Sequence, residues 1–216
     1  MARVILLRHG ETDWSRDSRW QGHTDVPLNA AGLAQARALA EPLARHAPTQ
    51  LVASDLVRTR ETLAPLADLT GLAIAEDPDL REVDVGSWAG LTHAEARERF
   101  PDGVERHDAG GVGWTDGETY ERVATRGMAA LVRATDGLPA SALVVICAHG
   151  GLIGAVAGRT LGLDAEAQRR HMGRISHGHA VYLRRRETPE GPLWRMLGYN
   201  APLLGESGPP IEMTIH

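Results

Sequence analysis

Two apolar runs in this chain end in the same dipeptide. Val4-Ile5-Leu6-Leu7 leads into Arg8-His9-Gly10, and Leu143-Val144-Val145-Ile146-Cys147-Ala148 leads into His149-Gly150-Gly151. Short unbroken apolar runs rich in branched side chains read as strands buried on both faces. In an open α/β sheet, ligands bind beyond the carboxyl ends of the strands. A strand that stops on a cation, an imidazole and a glycine is built for chemistry more than for packing. Taken singly, Arg-His-Gly is ordinarily a turn, and a strand-end histidine is ordinarily a satisfied core residue. Two such ends at one sheet edge, with Arg8 beside the first, are better explained as a site for a dianion such as a phosphoryl group.

Helices and strands alternate through the rest of the chain. Residues 13–29 read as a loop. Asn29 caps a helix predicted to run to about Arg45, with Leu33, Ala36, Leu39 or Ala40, and Leu43 on one face and a kink at Pro42. Leu51-Val52-Ala53 is a short strand. Residues 56–69 form a helix with Arg58 in its first turn and Pro65 badly placed inside, and Ala73-Ile74-Ala75 is a third strand. Residues 82–118 read as mostly irregular, with a capping box at Thr92-x-x-Glu95 before a short helix that Pro101 ends. A second box, Thr115-x-x-Glu118, predicts a helix to about Thr135. After the His149 strand come a helix over 152–161, closed by Gly162, and a late hairpin of Val181-Tyr182-Leu183 with Trp194-Arg195-Met196-Leu197. Residues 1–200 read as a single domain and residues 201–216 as a Gly/Pro-rich tail.

Composition narrows the function classes. Of the 216 residues, 43% are hydrophobic and 24% charged, which suits one soluble domain with a sizeable core. A net charge of −5 argues against nucleic acid as a partner, which would need a basic footprint. No apolar run reaches the roughly 18 residues of a membrane span, so no membrane partner is expected. Residues 1–8 run straight into the first motif, which predicts no signal peptide and a cytoplasmic location. Cys147 is alone, so it forms no internal disulfide and is expected to be a buried thiol. The ten histidines invite a metal reading. No His-x-x-His or His-x-x-x-His pair falls within a predicted helix, so no metal and no other cofactor is expected.

Five blocks in order carry a resemblance. They are Leu6-Leu7-Arg8-His9-Gly10-Glu11-Thr12; Gln21-Gly22-His23-Thr24-Asp25-Val26-Pro27-Leu28; Ala53-Ser54-Asp55-Leu56-Val57-Arg58; Leu80-Arg81-Glu82 followed by Gly86-Ser87-Trp88-Ala89-Gly90; and Ala148-His149-Gly150-Gly151. Together they resemble the histidine phosphatase superfamily, the phosphoglycerate mutase-like group, from Arg3 to about Asn200. The fold this implies is α/β: a three-layer α/β/α sandwich around a mostly parallel central sheet of about six strands, in keeping with the alternation of elements.

The resemblance also implies roles. His9 matches the nucleophile, and a largely neutral imidazole suits that task without a metal. Arg8, Arg58 and His149 match the phosphate pocket, and arginines offer planar bidentate donors. The helix after Gly150 and Gly151 would add its N-terminal N–H groups to the anion site. Glu82 matches the proton donor, while Trp88 in the loop after it is expected to be core packing. Gln21 and Gly22 match a loop that lines the site. Two positions depart from the family, which commonly has asparagine at both. One is Ser15, whose shorter side chain either misses the phosphate or reaches it through water. The other is His177, which would replace an amide with a pH-dependent donor.

Within the group, the compact interval from Glu82 to His149 favours phosphatases over mutases. Leu80-Arg81-Glu82, the Gly-x-Trp-x-Gly-Leu-Thr-His-Ala segment and Ala-His-Gly-Gly-Leu-Ile look most like the actinobacterial glucosyl-3-phosphoglycerate phosphatases. The implied partner is a small phosphorylated glycerate or sugar, and monomer or homodimer stays open. Phosphoglycerate mutase activity and a non-catalytic phospho-ligand sensor are the alternatives. Substrate choice is expected in residues 83–116, where Arg97, Arg99, Arg106 and His107 could meet a substrate carboxylate or simply form a solvated helix face.

Overall fold

The computed structural model describes residues 2–203. The chain begins with β1 (Arg3–Arg8), α1 (Asp13–Arg16), α2 (Ala30–Ala44), β2 (Gln50–Ala53), α3 (Val57–Thr70) and β3 (Ile74–Glu76). It continues through α4 (His93–Arg99), α5 (Pro101–Asp108), α6 (Tyr120–Thr135), β4 (Leu143–Ala148), α7 (Gly150–Thr160) and α8 (Ala165–His171). It closes with the hairpin of β5 (His179–Thr188) and β6 (Gly191–Pro202). The sheet order is β3-β2-β4-β1-β5-β6. β3, β2, β4 and β1 are parallel neighbours, β5 is antiparallel to β1, and β6 is antiparallel to β5.

The period of two along β1 divides the core. Val4 and Leu6 face a cluster that includes Val123 and Leu131 of α6 and Leu152, Ile153 and Val156 of α7. Ile5 and Leu7 face the other way, onto Leu39 and Leu43 of α2 and Leu63 and Leu66 of α3. The central strands are thus apolar on both faces because helices cover both, which makes three layers. The expected sandwich is the observed one.

Several local expectations change. The segment 13–29 contains α1, opened by Thr12 and Ser15 as a reciprocal capping box. Leu33 is exposed, and the buried stripe of α2 is Ala36, Leu39, Ala40 and Leu43. Both α2 and α3 continue through their prolines, Pro42 and Pro65. A helical proline costs about 3 kcal/mol, whereas each buried leucine returns roughly 1.5–3 kcal/mol, so the leucine pairs 39/43 and 63/66 decide. The segment 82–118 is more ordered than expected. Thr92 and Glu95 do form a capping box on α4, but Pro101 also starts α5. The cap of α6 is Thr119 rather than Thr115. Glu118 is drawn away from any box by Arg126, to which both its oxygens are bonded. The helix α8 is an element with no expectation behind it. The hairpin strands are longer than expected, and Ala201 and Pro202 belong to β6. Residues 204–216 of the expected tail lie outside the described residues. No helix among the described residues is long and apolar enough to cross a membrane.

Candidate active site

The register of β1 against β4 brings the two histidines together. Arg8 pairs with Ala148, so both strands end at the same level of the sheet. The His9 N–H donates to the Ala148 carbonyl at 3.0 Å, and the two imidazole centroids lie 5.1 Å apart. Both residues are buried, with His9 2% and His149 0% exposed.

Their partners set their tautomers. Nδ1 of His9 lies 2.7 Å from the Gly10 carbonyl oxygen, which can only accept, so Nδ1 carries the proton and Nε2 keeps its lone pair. His149 is the reverse. Its Nδ1 accepts from Nε of Arg58 at 3.1 Å, so Nε2 carries the proton. That Nε2 donor is buried and has no partner. Burial holds both imidazoles well below their ordinary pKa, with Arg58 adding to the effect in each. Both rings are therefore neutral at pH 7, one presenting a lone pair on Nε2 and the other a hydrogen-bond donor.

The two arginines play different parts. Arg8 donates one N–H to the Ile175 carbonyl at 2.5 Å and keeps a buried Nε with no partner. Gly150 makes room for it, since a Cβ there would lie 3.3 Å from that Nε. Arg58, fully buried, bonds His149 and the carbonyls of Thr24 and Gly22 at 2.8 and 3.0 Å. Burial pushes its pKa down to about 10, so it stays charged at pH 7. In this arrangement Arg58 organises His149 and the 22–24 loop, with two N–H groups left over.

Glu82 occupies the N-terminus of α7. Its carboxylate accepts from Gly151 and Leu152 N–H, both at 3.1 Å, and from Val83 N–H at 2.9 Å. This corrects the expectation that those N–H groups would serve the phosphate. A glycine at 151 is what admits the carboxylate, because a Cβ there would stand 2.5 Å from Glu82 Oε1. The backbone of Glu82 is held as well, its carbonyl accepting from His23 Nε2 and Arg126, both at 2.8 Å.

The remaining expected residues divide. His177 is at the site: its Nδ1 lies 2.9 Å from the His9 carbonyl oxygen and its ring 5.3 Å from that of His9. Gln21 precedes the Gly22 carbonyl that Arg58 holds, and buries its Oε1 without a partner. Gly22 has φ of +49° and packs on Val85, so its role is conformational. Ser15 is used locally. Its hydroxyl donates to the Thr12 carbonyl and accepts from the Thr12 N–H, both at 2.9 Å. Of the four cations weighed for a carboxylate, Arg97 pairs with Asp108, Arg106 bonds the Gly113 carbonyl, and His107 is buried against Trp20. Arg99 is exposed. Trp88 is core, 1% exposed, and Cys147 is a free buried thiol, both as expected.

Three supports have no signature in the sequence. Thr62 accepts from the Gly10 N–H at 3.0 Å. The Ile175 carbonyl holds Arg8. Arg126 clasps the carbonyls of Asp79, Arg81 and Glu82 together with the Glu118 carboxylate. On a helix wheel Arg126 reads as one more solvated charge. Away from this site, metal-ligating atoms of His93, His107 and Asp108 lie within 4.8 Å of one another. There Asp108 already pairs with His93 at 3.0 Å and with Arg97.

Comparisons with known proteins point to one family. A family model described as "Histidine phosphatase superfamily (branch 1)" matches residues 4–190. A probable phosphoglycerate mutase of Enterobacter sp. (strain 638) is 37% identical over 173 residues, 79% of this chain and 80% of that one. A glucosyl-3-phosphoglycerate phosphatase of Mycolicibacterium vanbaalenii is 37% identical over 174 residues, 76% of each. The native structure of mycobacterial glucosyl-3-phosphoglycerate phosphatase superposes with a TM-score of 0.82 at 33% identity, covering 93% of this chain and 99% of that one.

Proposed function

The chain belongs to the histidine phosphatase superfamily, and on that premise we propose that it is a metal-independent phosphatase acting on a small phosphomonoester through a phosphohistidine on His9. One observation supports this most. Two buried donors, Nε of Arg8 and Nε2 of His149, have no partner; Arg8 adjoins the neutral His9 in the chain, and the His149 ring lies 5.1 Å from that of His9. An unpaired buried donor costs about 1–3 kcal/mol. A phosphoryl dianion would satisfy both.

The chemistry follows from the tautomers. Nε2 of His9 attacks phosphorus in line, while Nδ1–H stays on the Gly10 carbonyl and the ring becomes a cation as the P–N bond forms. Arg8, His149 Nε2–H and the spare N–H groups of Arg58 neutralise the equatorial oxygens, so fixed donors do what a metal would otherwise do. Protonated Glu82 gives its proton to the leaving alkoxide, and its carboxylate then takes one from the water that hydrolyses the P–N bond. Oε2 of Glu82 accepts only the Gly151 N–H, so it keeps a lone pair for the proton while α7 holds the carboxyl beside the site.

The substrate proposed is a phosphorylated glycerate or sugar, with glucosyl-3-phosphoglycerate the first to try because a relative at 37% identity carries that activity in its name. The mutase reading has one observation in its favour, a probable phosphoglycerate mutase at the same identity. Inorganic phosphate release from these esters, with and without EDTA, tests the proposal. Trapping of an acid-labile phosphoenzyme that His9→Ala abolishes completes it. Isomerisation of 3-phosphoglycerate with little phosphate release would favour the mutase. Tight phosphate binding with no turnover of any ester would favour a sensor.

A further inference from the structure

His177 is placed to touch the same phosphoryl group, but from its resting tautomer it presents the wrong polarity. The His9 carbonyl only accepts, so the bond at 2.9 Å puts the proton of His177 on Nδ1. Nε2 is left with a lone pair and no hydrogen-bond partner among the described residues, on a ring 5.3 Å from that of His9. An anionic oxygen cannot approach a lone pair favourably. The unpartnered buried groups of Arg8 and His149, by contrast, are both donors.

We propose that phosphoryl binding at this site takes up one proton from solvent, held between His177 Nε2 and a phosphoryl oxygen. No covalent bond changes. The imidazole becomes a second donor, or equivalently the ligand enters one proton richer, and the proton returns to solvent when the ligand leaves. The proposal rests on the reading that this pocket holds phosphate, and it goes further in naming how binding is tied to pH.

The surroundings favour His177 as the proton's seat. Burial and the Arg8 charge push its pKa down to about 4, so the free protein holds it neutral; an arriving dianion reverses both the local charge and the preference. Arg8 at the end of β1 and His9 just after it face it, with Glu11 beyond. Glu11 is already bonded to Asn29 at 2.8 Å. On its own segment His179 is tied through Nδ1 to the Asn200 carbonyl at 2.9 Å. His149 is a poorer seat, because protonating its Nδ1 would break the bond from Arg58 and set two cations face to face. His9 must keep its lone pair for attack.

Calorimetric titration with methylphosphonate at pH 8.5, where it is a dianion with no O–H of its own, reads the proton directly when run in two buffers of different ionisation enthalpy. The expected result for the natural chain is uptake of about one proton per methylphosphonate bound. Its Kd should weaken about tenfold per pH unit between pH 8 and 9, the slope that one linked proton gives. His177→Gln carries an amide N–H near the same place and should bind methylphosphonate with near-zero uptake and a flat Kd. His177→Asn serves if the glutamine variant folds poorly, judged by circular dichroism. Methylphosphonate bound without uptake by the natural chain overturns the proposal and leaves the phosphatase reading standing. Uptake unchanged in the variant overturns it too, and moves the proton to His9 or His149. Absence of binding of both methylphosphonate and inorganic phosphate sinks both readings.

Discussion

Arg58 holds His149 in a single tautomer: its Nε donates to Nδ1 of the imidazole at 3.1 Å, inside a wholly buried contact. The proton of His149 is thereby sent to Nε2, the edge with no protein partner. A planar guanidinium can do this while also bonding the Thr24 and Gly22 carbonyls, because its donors point in three directions. A lysine cannot.

Arg58→Lys is therefore expected to behave almost like Arg58→Ala. Loss of one well-aimed transition-state donor is worth about 10²–10³ in kcat, and misorienting His149 should fall in that range. Steady-state rates of both variants on one phosphomonoester check it. If lysine retained most of the rate, charge alone would be the contribution of Arg58.

Glu82 is expected to matter most where the leaving group is poor. Glu82→Gln should slow phosphoenzyme formation from a sugar phosphate by roughly 10²–10⁴, and slow it much less from nitrophenyl phosphate, whose phenolate leaves unprotonated. Single-turnover measurement keeps water activation in the second step from hiding the contrast. Gly151→Ala should show the same pattern, since its Cβ would sit 2.5 Å from Oε1. Gly173→Ala, with nothing within 4 Å, is the control. Equal losses for the two esters would reduce Glu82 to a positional role.

Four histidines should make the fold sensitive to mild acid. Burial holds His9 and His149 well below the ordinary value of 6.5 and pushes His107 and His177 to about 4. Between about pH 6.5 and 4 the unfolded chain binds protons that the folded chain refuses, so stability rises with pH across that window. Lowered carboxylates such as Asp55, hydrogen-bonded to Arg81, extend the loss below it. A Tm measured without phosphate should fall steadily from pH 7 to 5. A Tm that held or rose on acidification would contradict this.

Arg126 should be structural at a cost visible in function. The Arg126–Glu118 pair is only 15% and 14% exposed, and burial alone would raise the Glu118 carboxyl, but the Arg126 bonds, the Asp84 N–H and the nearby positive charges together hold it below its ordinary value. Breaking a buried pair typically costs about 3–5 kcal/mol. Arg126→Ala should lower the urea midpoint by a corresponding amount, and should impair turnover because it also frees the Glu82 carbonyl. Unchanged stability would mean that water replaces the guanidinium.

What could be read in sequence was local or repeated. The β1 and β4 runs, the Asn29 cap and the Thr92–Glu95 box each depend on neighbours a few residues away, and each formed as expected. Ser15 is bonded to its neighbours for a local reason that was equally readable: a hydroxyl three residues after Thr12 completes a capping box. The cap of α6 failed because Glu118 found a better partner in Arg126, eight residues on.

By itself the sequence determined that two apolar strands would deliver Arg8, His9 and His149 to the carboxyl edge of one sheet, because strand burial and strand ends follow from runs of side chains. Tertiary structure alone decided which nitrogen of each imidazole carries the proton. That choice belongs to the Gly10 carbonyl, to Arg58 and to the His9 carbonyl. It also gave the α7 N-terminus to Glu82, brought there from 69 residues away. Hydrogen bonds need partners within about 3 Å. At separations of this kind, only the packed chain decides which groups come that close.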